Sequence, residues 1–262
     1  MIALPKLDFD LIKIQTDNFI KNEMSKTGKT KAVLGLSGGI DSALVAALAA
    51  NALGKDNVTG ILMPYKSSSR ESIEDAMKVV ESTGINHVML EISAAVDAFA
   101  EKNMTNKEMP LNARLGNVMA RMRMITLFDF SAANDAIVFG TSNKSEIELG
   151  YYTMFGDAAS AIDPIGSLYK TDVFEFSRLM KLPQSVIDKA PSADLFEGQT
   201  DEGEMGFSYK NMDPVIHALT DLGMSVEEIV LAGHDEKLVK YVNNRIKSNS
   251  YKRHVPVIAK LS

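Results

Sequence analysis

The stretch 32-AVLGLSGGIDSALVAALAA-50 joins an apolar run to a helix-forming run through a turn that holds two serines, two glycines and an aspartate. Such a turn directs backbone N–H groups and the positive end of the helix dipole at one point, which suits an anion. It lacks the lysine of the common phosphate loop, G-x-x-x-x-G-K-[ST]. Asp41 would repel a phosphate unless a divalent cation lay between them. The turn therefore indicates a phosphate-binding loop with a metal ion, although by itself it equally suits a tight turn in which Asp41 or Ser42 caps the helix.

Apolar runs and helical patterns alternate along the first half of the chain. Strands are predicted over 32–36, 58–63, 87–91 and 136–139, and helices over 42–53, 71–82, 93–102 and 112–133. A further helix is predicted over 9–24, with Leu11, Ile12, Phe19 and Ile20 on its inward face. The alternation predicts an α/β fold with a parallel sheet covered on both faces.

The second half of the chain is less regular. A helix is predicted over 170–181, and Ser225 with Glu228 forms a capping-box pattern at the start of a C-terminal helical pair. The polar segment 190–207 has little periodicity, which is typical of a lid or of disorder. No repeat or flexible linker interrupts the sequence, so a single domain over 1–262 is expected.

Composition narrows the class of protein. The net charge of −6 over 262 residues argues against a nucleic-acid partner, which would require a basic surface. The longest apolar stretch, 42–53, is too short to span a membrane. The N-terminus has no secretory signal pattern, so a cytoplasmic protein without a membrane partner is expected. The chain has no cysteine, which excludes disulfides, thiolate metal sites and cysteine nucleophiles.

The S-G-G-x-D-S motif resembles the pyrophosphatase loop of the N-type ATP pyrophosphatases, which split ATP into AMP and pyrophosphate. Over nearly its whole length the chain resembles the ammonia-dependent NAD synthetases of that superfamily. The matching stretches are GLSGGIDSALVAALA, GNVMARMRMITLFDF, VFGTSNKSEIELGYYTMFGDAASAIDPIGSLYKTDVFE, APSADL and GFSY. The resemblance implies an adenine nucleotide alpha hydrolase-like fold, a doubly wound and mostly parallel five-stranded sheet flanked by helices, with a helical C-terminal segment.

The resemblance also implies the reaction and its participants. Deamido-NAD, ATP and ammonia would be the substrates, Mg²⁺ the cofactor and NAD the product. The family builds its substrate site at the two-fold interface of a homodimer, largely from the helix predicted over 112–133. That helix has an apolar face of Met119, Met122 and Met124, a pattern found more often in a core than in an interface.

The resemblance assigns roles to individual residues. The ATP phosphates would lie against Gly35, Leu36, Ser37, Gly38, Gly39, Ile40, Asp41 and Ser42. Thr141 and Ser192 match further ATP contacts, and Lys170 matches the catalytic lysine on the phosphates. Asp41 and Glu146 match the Mg²⁺ ligands, and two carboxylates with phosphate oxygens and water suit this cation. Without the family, the favoured interpretation of Glu146 is a solvated acid beside Lys144, and Ser192 suits a helix-start or turn serine equally well.

Three more residues match the part of the site that holds deamido-NAD and ammonia. Arg121 and Lys252 match substrate contacts, while a helix would turn Arg123, two residues further on, to another side. Asp157 matches the catalytic acid that handles ammonia, because a carboxylate attracts ammonium and helps to remove its proton. On the residues alone, Asp157 also suits an Asx turn and Lys252 a solvated surface.

The chain departs from many relatives at three positions. Met154 stands where they have lysine, Ala161 where they have aspartate, and Tyr251 where some have histidine. These differences concern the binding of the nicotinate end of the substrate.

The absence of cysteine separates the chain from related classes. Glutaminase domains use a cysteine nucleophile, so no such domain is expected and the ammonia is free or comes from a separate protein. A non-catalytic nucleotide sensor on the same scaffold is the alternative from another class, since a fold does not determine a function. Pyrophosphate release from ATP distinguishes the two.

Overall fold

The structure is a computed structural model that describes residues 2–103, 111–192, 200–253, 256 and 258–259. Its strands are β1 (Lys31–Gly35), β2 (Val58–Leu62), β3 (Asn86–Met89) and β4 (Ala136–Val138). Its helices are α1 (Phe9–Thr27), α2 (Ile40–Leu53), α3 (Arg70–Thr83), α4 (Ser93–Asn103), α5 (Leu111–Ala133), α6 (Lys144–Leu149), α7 (Lys170–Leu179), α8 (Gln184–Asp188), α9 (Asp201–Met205), α10 (Tyr209–Thr220), α11 (Val226–Leu231), α12 (Glu236–Ser248) and α13 (Ser250–Arg253).

The four strands form one parallel sheet in the order β3-β2-β1-β4, which confirms the predicted fold class. Four strands rather than the expected five are seen in the described ranges. The fifth place, beside β4, holds a single parallel bridge between Phe139 and Ile162. Pro164 follows two residues later, and a proline has no N–H with which to continue a ladder. The fifth strand is therefore reduced to one bridge.

Alternate residues of β1 explain why both faces of the sheet are covered. Ala32 and Leu34 belong to a core cluster that includes α2, while Val33 belongs to a cluster on the other face with residues of α4 and α5. α2 is buried almost all round, which matches its nearly uncharged sequence. Met119 of α5 is buried, as its methionine pattern indicated.

The inward face of α1 is narrower than predicted. Ile20 is fully buried and Ile12 packs against the core, but Leu11 and Phe19 are 50% and 41% exposed. The buried stripe instead runs through Thr16, Ile20 and Met24 at a spacing of four residues. The prediction for Leu11 and Phe19 was therefore wrong.

The C-terminal part forms its own core cluster from α10, α11 and α12, joined to the sheet region by Leu149 and Tyr169. The predicted capping box is present, since the Ser225 hydroxyl accepts from the Glu228 N–H and Glu228 accepts from the Ser225 N–H. Within the segment predicted as a lid, 201–205 is helical and 193–199 lies outside the described residues. No helix in the described part of the chain is both long and apolar enough to cross a membrane.

Candidate active site

A cavity of about 920 Å³ opens at the carboxyl ends of β1, β2 and β4. Gly35, Leu62 and Phe139 line it at the strand ends, which is where parallel α/β sheets hold their ligands. Side chains from the N-terminal turns of α2, α3 and α7 complete its walls. Most of the residues predicted for ATP, metal and substrate line this one space.

The turn between β1 and α2 presents backbone donors to the cavity. The N–H groups of Gly38, Ile40, Asp41 and Ser42 have no acceptor among the residues that the structure describes. They lie at the N-terminus of a helix of 14 residues, whose dipole adds to their attraction for an anion. We call residues 35–42 the phosphate loop.

The serines hold the loop rather than cap the helix. The Ser42 hydroxyl donates to the Gly39 carbonyl oxygen (3.0 Å) and accepts from the Ser37 N–H (3.3 Å). The Ser37 hydroxyl accepts from the Gly39 N–H (3.2 Å). The N-cap residue is Gly39, which makes no side-chain capping bond. The alternative in which Asp41 or Ser42 caps the helix is therefore wrong.

Lys170 lies between the two carboxylates that were predicted to bind a metal ion. Its ammonium group is 2.5 Å from Asp41 Oδ2 and 3.2 Å from Glu146 Oε1, and the residue is only 2% exposed. Lys170 is the first residue of α7, and its N–H donates to the Ser145 hydroxyl (2.9 Å). Residues far apart in the sequence thus meet beside the phosphate loop.

Asn143 fixes both carboxylates. It is fully buried, and its amide donates to Asp41 Oδ1 (2.9 Å). It also caps α6 with Glu146, since the Asn143 side chain accepts from the Glu146 N–H (3.0 Å) and Glu146 Oε2 accepts from the Asn143 N–H (3.2 Å). The Glu146 side chain is 16% exposed, so it is not a solvated acid beside Lys144.

The charges of this group are strongly coupled. Burial raises the pKa of the Glu146 carboxyl to about 8, against the opposing effect of Lys170 and with a contribution from the negative charge of Asp41. Burial by itself would lower the pKa of Lys170, but Asp41 and Glu146 outweigh it and the pKa rises. Lys170 therefore remains charged, while Glu146 favours its protonated form until another cation arrives.

The donor set fits a magnesium ion that is shared with a phosphate. Magnesium takes hard oxygen ligands, commonly one or two carboxylates together with substrate phosphates and water. Asp41 and Glu146 offer such oxygens at the mouth of the phosphate loop. The described residues contain no group of three or more acidic or histidine side chains arranged for a metal. The remaining ligands of a magnesium ion here would be phosphate oxygens and water, as is usual for this cation.

The other end of the cavity holds Asp157 and Lys252. Asp157 Oδ1 accepts from the Thr153 N–H (2.8 Å), and loss of hydration raises the pKa of its carboxyl, although the side chain is open to the cavity. The Lys252 ammonium donates to the carbonyl oxygens of Gly150 (2.7 Å) and Tyr152 (2.9 Å). Burial lowers the pKa of Lys252. Lys252 is therefore not the solvated surface cation of the alternative.

The two arginines of α5 do not occupy the positions that were predicted for them. Arg123 lines the cavity and donates to the Met63 carbonyl oxygen (3.1 Å). Arg121 is exposed, lies outside the cavity lining and reaches the Met154 carbonyl oxygen at 3.3 Å. Thr141 and Ser192 both line the cavity. Of the predicted site residues, only Arg121 and Gly38 are absent from the described cavity lining, and Gly38 still belongs to the loop that borders the cavity.

Four residues of the site were missed from the sequence: Asn143, Lys189, Asp201 and Arg245. Asn143 carried a signal, because Asn-x-x-Glu before an apolar residue is a capping pattern. Asp201 is 4% exposed and accepts from the Tyr209 hydroxyl (3.1 Å) near Lys170. Arg245 lines the cavity from α12 with a buried Nε that has no acceptor among the described residues. Asp201 and Arg245 carried no such signal in the sequence, because only the tertiary fold places them at the cavity.

Comparison with known proteins identifies the family. The model of the NAD synthase family matches residues 12–256. The chain is 49% identical over 258 residues to the NH(3)-dependent NAD(+) synthetase of Fusobacterium nucleatum subsp. nucleatum, with 98% of each chain covered. It is 48% identical over 256 residues to that of Chlorobaculum parvum, covering 98% of this chain and 91% of the relative.

Solved structures agree with this result. The NH3-dependent NAD synthetase from Campylobacter jejuni, in complex with the nitrate ion, matches with a TM-score of 0.81 at 35% identity, covering 97% of this chain and 100% of that one. The NMN synthetase from Francisella tularensis matches with a TM-score of 0.85 at 30% identity, covering 98% and 100%. From its sequence, its fold and the residues around its cavity, the chain belongs to the NAD synthase family.

Proposed function

We propose that the cavity carries out the ATP-dependent amidation of deamido-NAD by ammonia, which makes the protein an ammonia-dependent NAD synthetase. The observation that carries this proposal is the contact of Lys170 with Asp41 and Glu146 beside the free amides of the phosphate loop. The curated relatives that cover nearly the whole chain have the same activity in their names.

The first step activates a carboxylate, whose oxygen is a poor leaving group. A nicotinate carboxylate oxygen attacks the α-phosphorus of ATP, and the bond from that phosphorus to the bridging oxygen breaks as pyrophosphate leaves. The phosphate-loop amides and the Lys170 ammonium stabilise the charge on pyrophosphate. Loss of one such preorganised contact typically costs about 3–4 kcal/mol of barrier.

The second step forms the amide. The nitrogen of ammonia attacks the adenylated carbonyl carbon, the carbon–oxygen bond to AMP breaks, and the nitrogen gives up a proton to water. At neutral pH ammonia is mostly ammonium, because the pKa values of amines lie well above 7. Asp157 would attract ammonium and accept its proton, because a carboxylate can act as a general base.

Magnesium is the cofactor that we propose, held by Asp41 and Glu146 together with ATP oxygens and water. When bound it would neutralise phosphate charge and allow Asp41 to lie beside a nucleotide. It would also favour the ionised form of Glu146, because a cation beside the carboxyl opposes the effect of burial on its pKa.

We also propose that the protein is a homodimer that completes its substrate site across the interface. Arg121, Ile125 and Phe128 lie on one stripe of α5 at spacings of four and three residues. Ile125 and Phe128 are 54% and 40% exposed, as is expected of an apolar face that a second copy covers. Arg121 would then reach deamido-NAD in the partner's cavity.

The test is pyrophosphate release from ATP and Mg²⁺, measured with and without deamido-NAD, with NAD followed after ammonia is added. We expect release that depends on deamido-NAD and NAD that depends on ammonia. A nucleotide sensor would release no pyrophosphate in either case, which would overturn the proposal.

A second arm replaces deamido-NAD with nicotinate mononucleotide, because the Francisella tularensis neighbour is an NMN synthetase. We expect kcat/KM at least tenfold higher for deamido-NAD than for the mononucleotide. A preference for the mononucleotide would keep the chemistry and overturn the assigned substrate.

A further inference from the structure

Lys189 is a second lysine at the phosphate loop, and neither the sequence motifs nor the proposed mechanism uses it. It follows α8 and lines the cavity three residues before Ser192. Its ammonium group donates to the Ser72 hydroxyl (2.9 Å) and lies 3.5 Å from Asp75 Oδ2. Its side chain is 22% exposed, so it opens to the cavity while its charge is held in place.

Ser72 places this ammonium group beside Gly38. The Ser72 carbonyl oxygen lies against Gly38 so closely that a Cβ on the glycine would be 2.2 Å from it. A single residue, Ser72, therefore separates Lys189 from the phosphate loop. Lys170 approaches the same loop from its other end, through Asp41.

The charge balance leaves Lys189 available for a ligand. Asp75 is fully buried, and its Oδ1 already accepts from the Lys78 ammonium (2.8 Å) and the Ser185 hydroxyl (2.8 Å). Its Oδ2 has only the longer contact with Lys189 and no hydrogen bond within the described ranges. One carboxylate thus serves two lysines. By contrast, the Lys170 ammonium group contacts the carboxyl groups of both Asp41 and Glu146.

We propose that Lys189 is a further phosphate-binding residue, whose ammonium group contacts the β- and γ-phosphates of ATP and stabilises the departing pyrophosphate. This rests on the proposed function for its reaction, but the binding of pyrophosphate can be measured without turnover. Ser72 and Asp75 act as positioning residues that keep the ammonium group at the loop. Lysine suits this role because it is a compact charge on a flexible stem.

Lys78 provides the matched control. It pairs with the same carboxylate as Lys189 but does not line the cavity, and its side chain is 48% exposed. If the lysines only neutralise Asp75, then Lys78→Met and Lys189→Met will have the same effects. If Lys189 binds phosphate, only Lys189→Met will weaken pyrophosphate binding.

The experiment titrates Mg²⁺ and pyrophosphate into the full chain by calorimetry and then measures steady-state kinetics. We expect Lys189→Met to raise the Kd for pyrophosphate and to lower kcat/KM for ATP, each at least tenfold, with the KM for deamido-NAD within twofold. Lys78→Met should keep the Kd for pyrophosphate, kcat/KM for ATP and the KM for deamido-NAD within twofold of the wild type. Lys189→Arg should recover part of the loss seen in Lys189→Met. Equal effects of the two methionine variants would overturn the proposal.

A double variant, Asp75→Asn with Lys189→Met, guards against a folding defect because it leaves no uncompensated buried carboxylate. We expect it to unfold near the wild-type temperature and still bind pyrophosphate at least tenfold more weakly. Recovery of pyrophosphate binding would show that Lys189 only neutralises Asp75. If the wild type released no pyrophosphate with deamido-NAD, the proposed function would fail, and the pyrophosphate titration would still decide the role of Lys189.

Discussion

At the residue scale, Gly38 shows why the phosphate loop requires a glycine. Its φ is +79°, and a Cβ there would lie 2.2 Å from the Ser72 carbonyl oxygen. Gly28, at the end of α1, has a similar φ of +70° but no atom within 4 Å of an added Cβ. The two positions share a backbone conformation and differ in the space around it.

Gly38→Ala should lower turnover at least tenfold and destabilise the fold more than Gly28→Ala. The left-handed conformation alone costs about 1–2 kcal/mol for a residue with a Cβ. At Gly38 the clash with backbone must also push α3 away from the loop. Urea unfolding and the pyrophosphate assay measure the two effects. Equal losses of turnover and of unfolding free energy in Gly38→Ala and Gly28→Ala would contradict a role for the close contact between Gly38 and the Ser72 carbonyl oxygen.

Glu146 shows at the same scale what local sequence leaves undecided. Beside Lys144 it suits a solvated acid, yet it is a buried capping residue that contacts Lys170. The capping pattern with Asn143 is readable in the sequence, but the contact spans 24 residues and depends on α7. Burial and the charges of distant residues, which together set the pKa of Glu146, are not local properties.

At the scale of elements, Asp213 connects the helices that carry Glu146 and Lys170. Asp213 of α10 is fully buried and accepts from the Ser145 hydroxyl (2.6 Å) and from the Thr171 N–H (3.0 Å) and hydroxyl (2.8 Å). Ser145 and Thr171 are neighbours of Glu146 and Lys170. Burial raises the pKa of Asp213 from 3.8 to about 6, in spite of these donors.

Asp213→Asn should lower the free energy of unfolding by about 1–3 kcal/mol at pH 5, because its amide leaves one of the donors without an acceptor. The raised pKa means that the wild-type carboxyl contributes most stability below its unfolded value of 3.8 and loses it as the pH rises through about 6. The difference in unfolding free energy between the wild type and Asp213→Asn should therefore become smaller by about 1 kcal/mol as the pH rises from 5 to 8.

Urea unfolding at the two pH values measures this difference. Asp235→Asn, at the N-cap of α12, is the control, because asparagine and aspartate cap helices about equally well. It should change the unfolding free energy by less than about 0.5 kcal/mol. A difference for Asp213→Asn that widens with pH would contradict the expected sign.

At the scale of the whole molecule, the exposed stripe of α5 predicts the oligomeric state. Phe128→Asp should convert a dimer into a monomer in sedimentation experiments, since it places a charge in an apolar interface. The KM for deamido-NAD should rise at least tenfold, because Arg121 lies on the same stripe. Leu11→Asp on α1, where the leucine is 50% exposed, should change neither the oligomeric state nor the KM for deamido-NAD. A wild type that sediments as a monomer would contradict the proposal.

The sequence alone determined the strand–helix order and the phosphate loop, because both follow from local periodicity and turn chemistry. It therefore predicted β1 to β4, α1 to α5 and α7 to within a few residues, but it did not predict α10. Short helices such as α6 and α8 were missed, since six or five residues carry too little periodicity.

Only the tertiary structure decided which charges meet. It placed Lys170 between Asp41 and Glu146, set Lys189 beside Gly38 through Ser72, and left Arg121 on an outer face. These contacts join residues separated by up to 129 positions, and their energies depend on burial and on the distance between charges. Neither quantity is defined until the chain has folded, which is why the sequence predicted the loop but not the full set of cations around it.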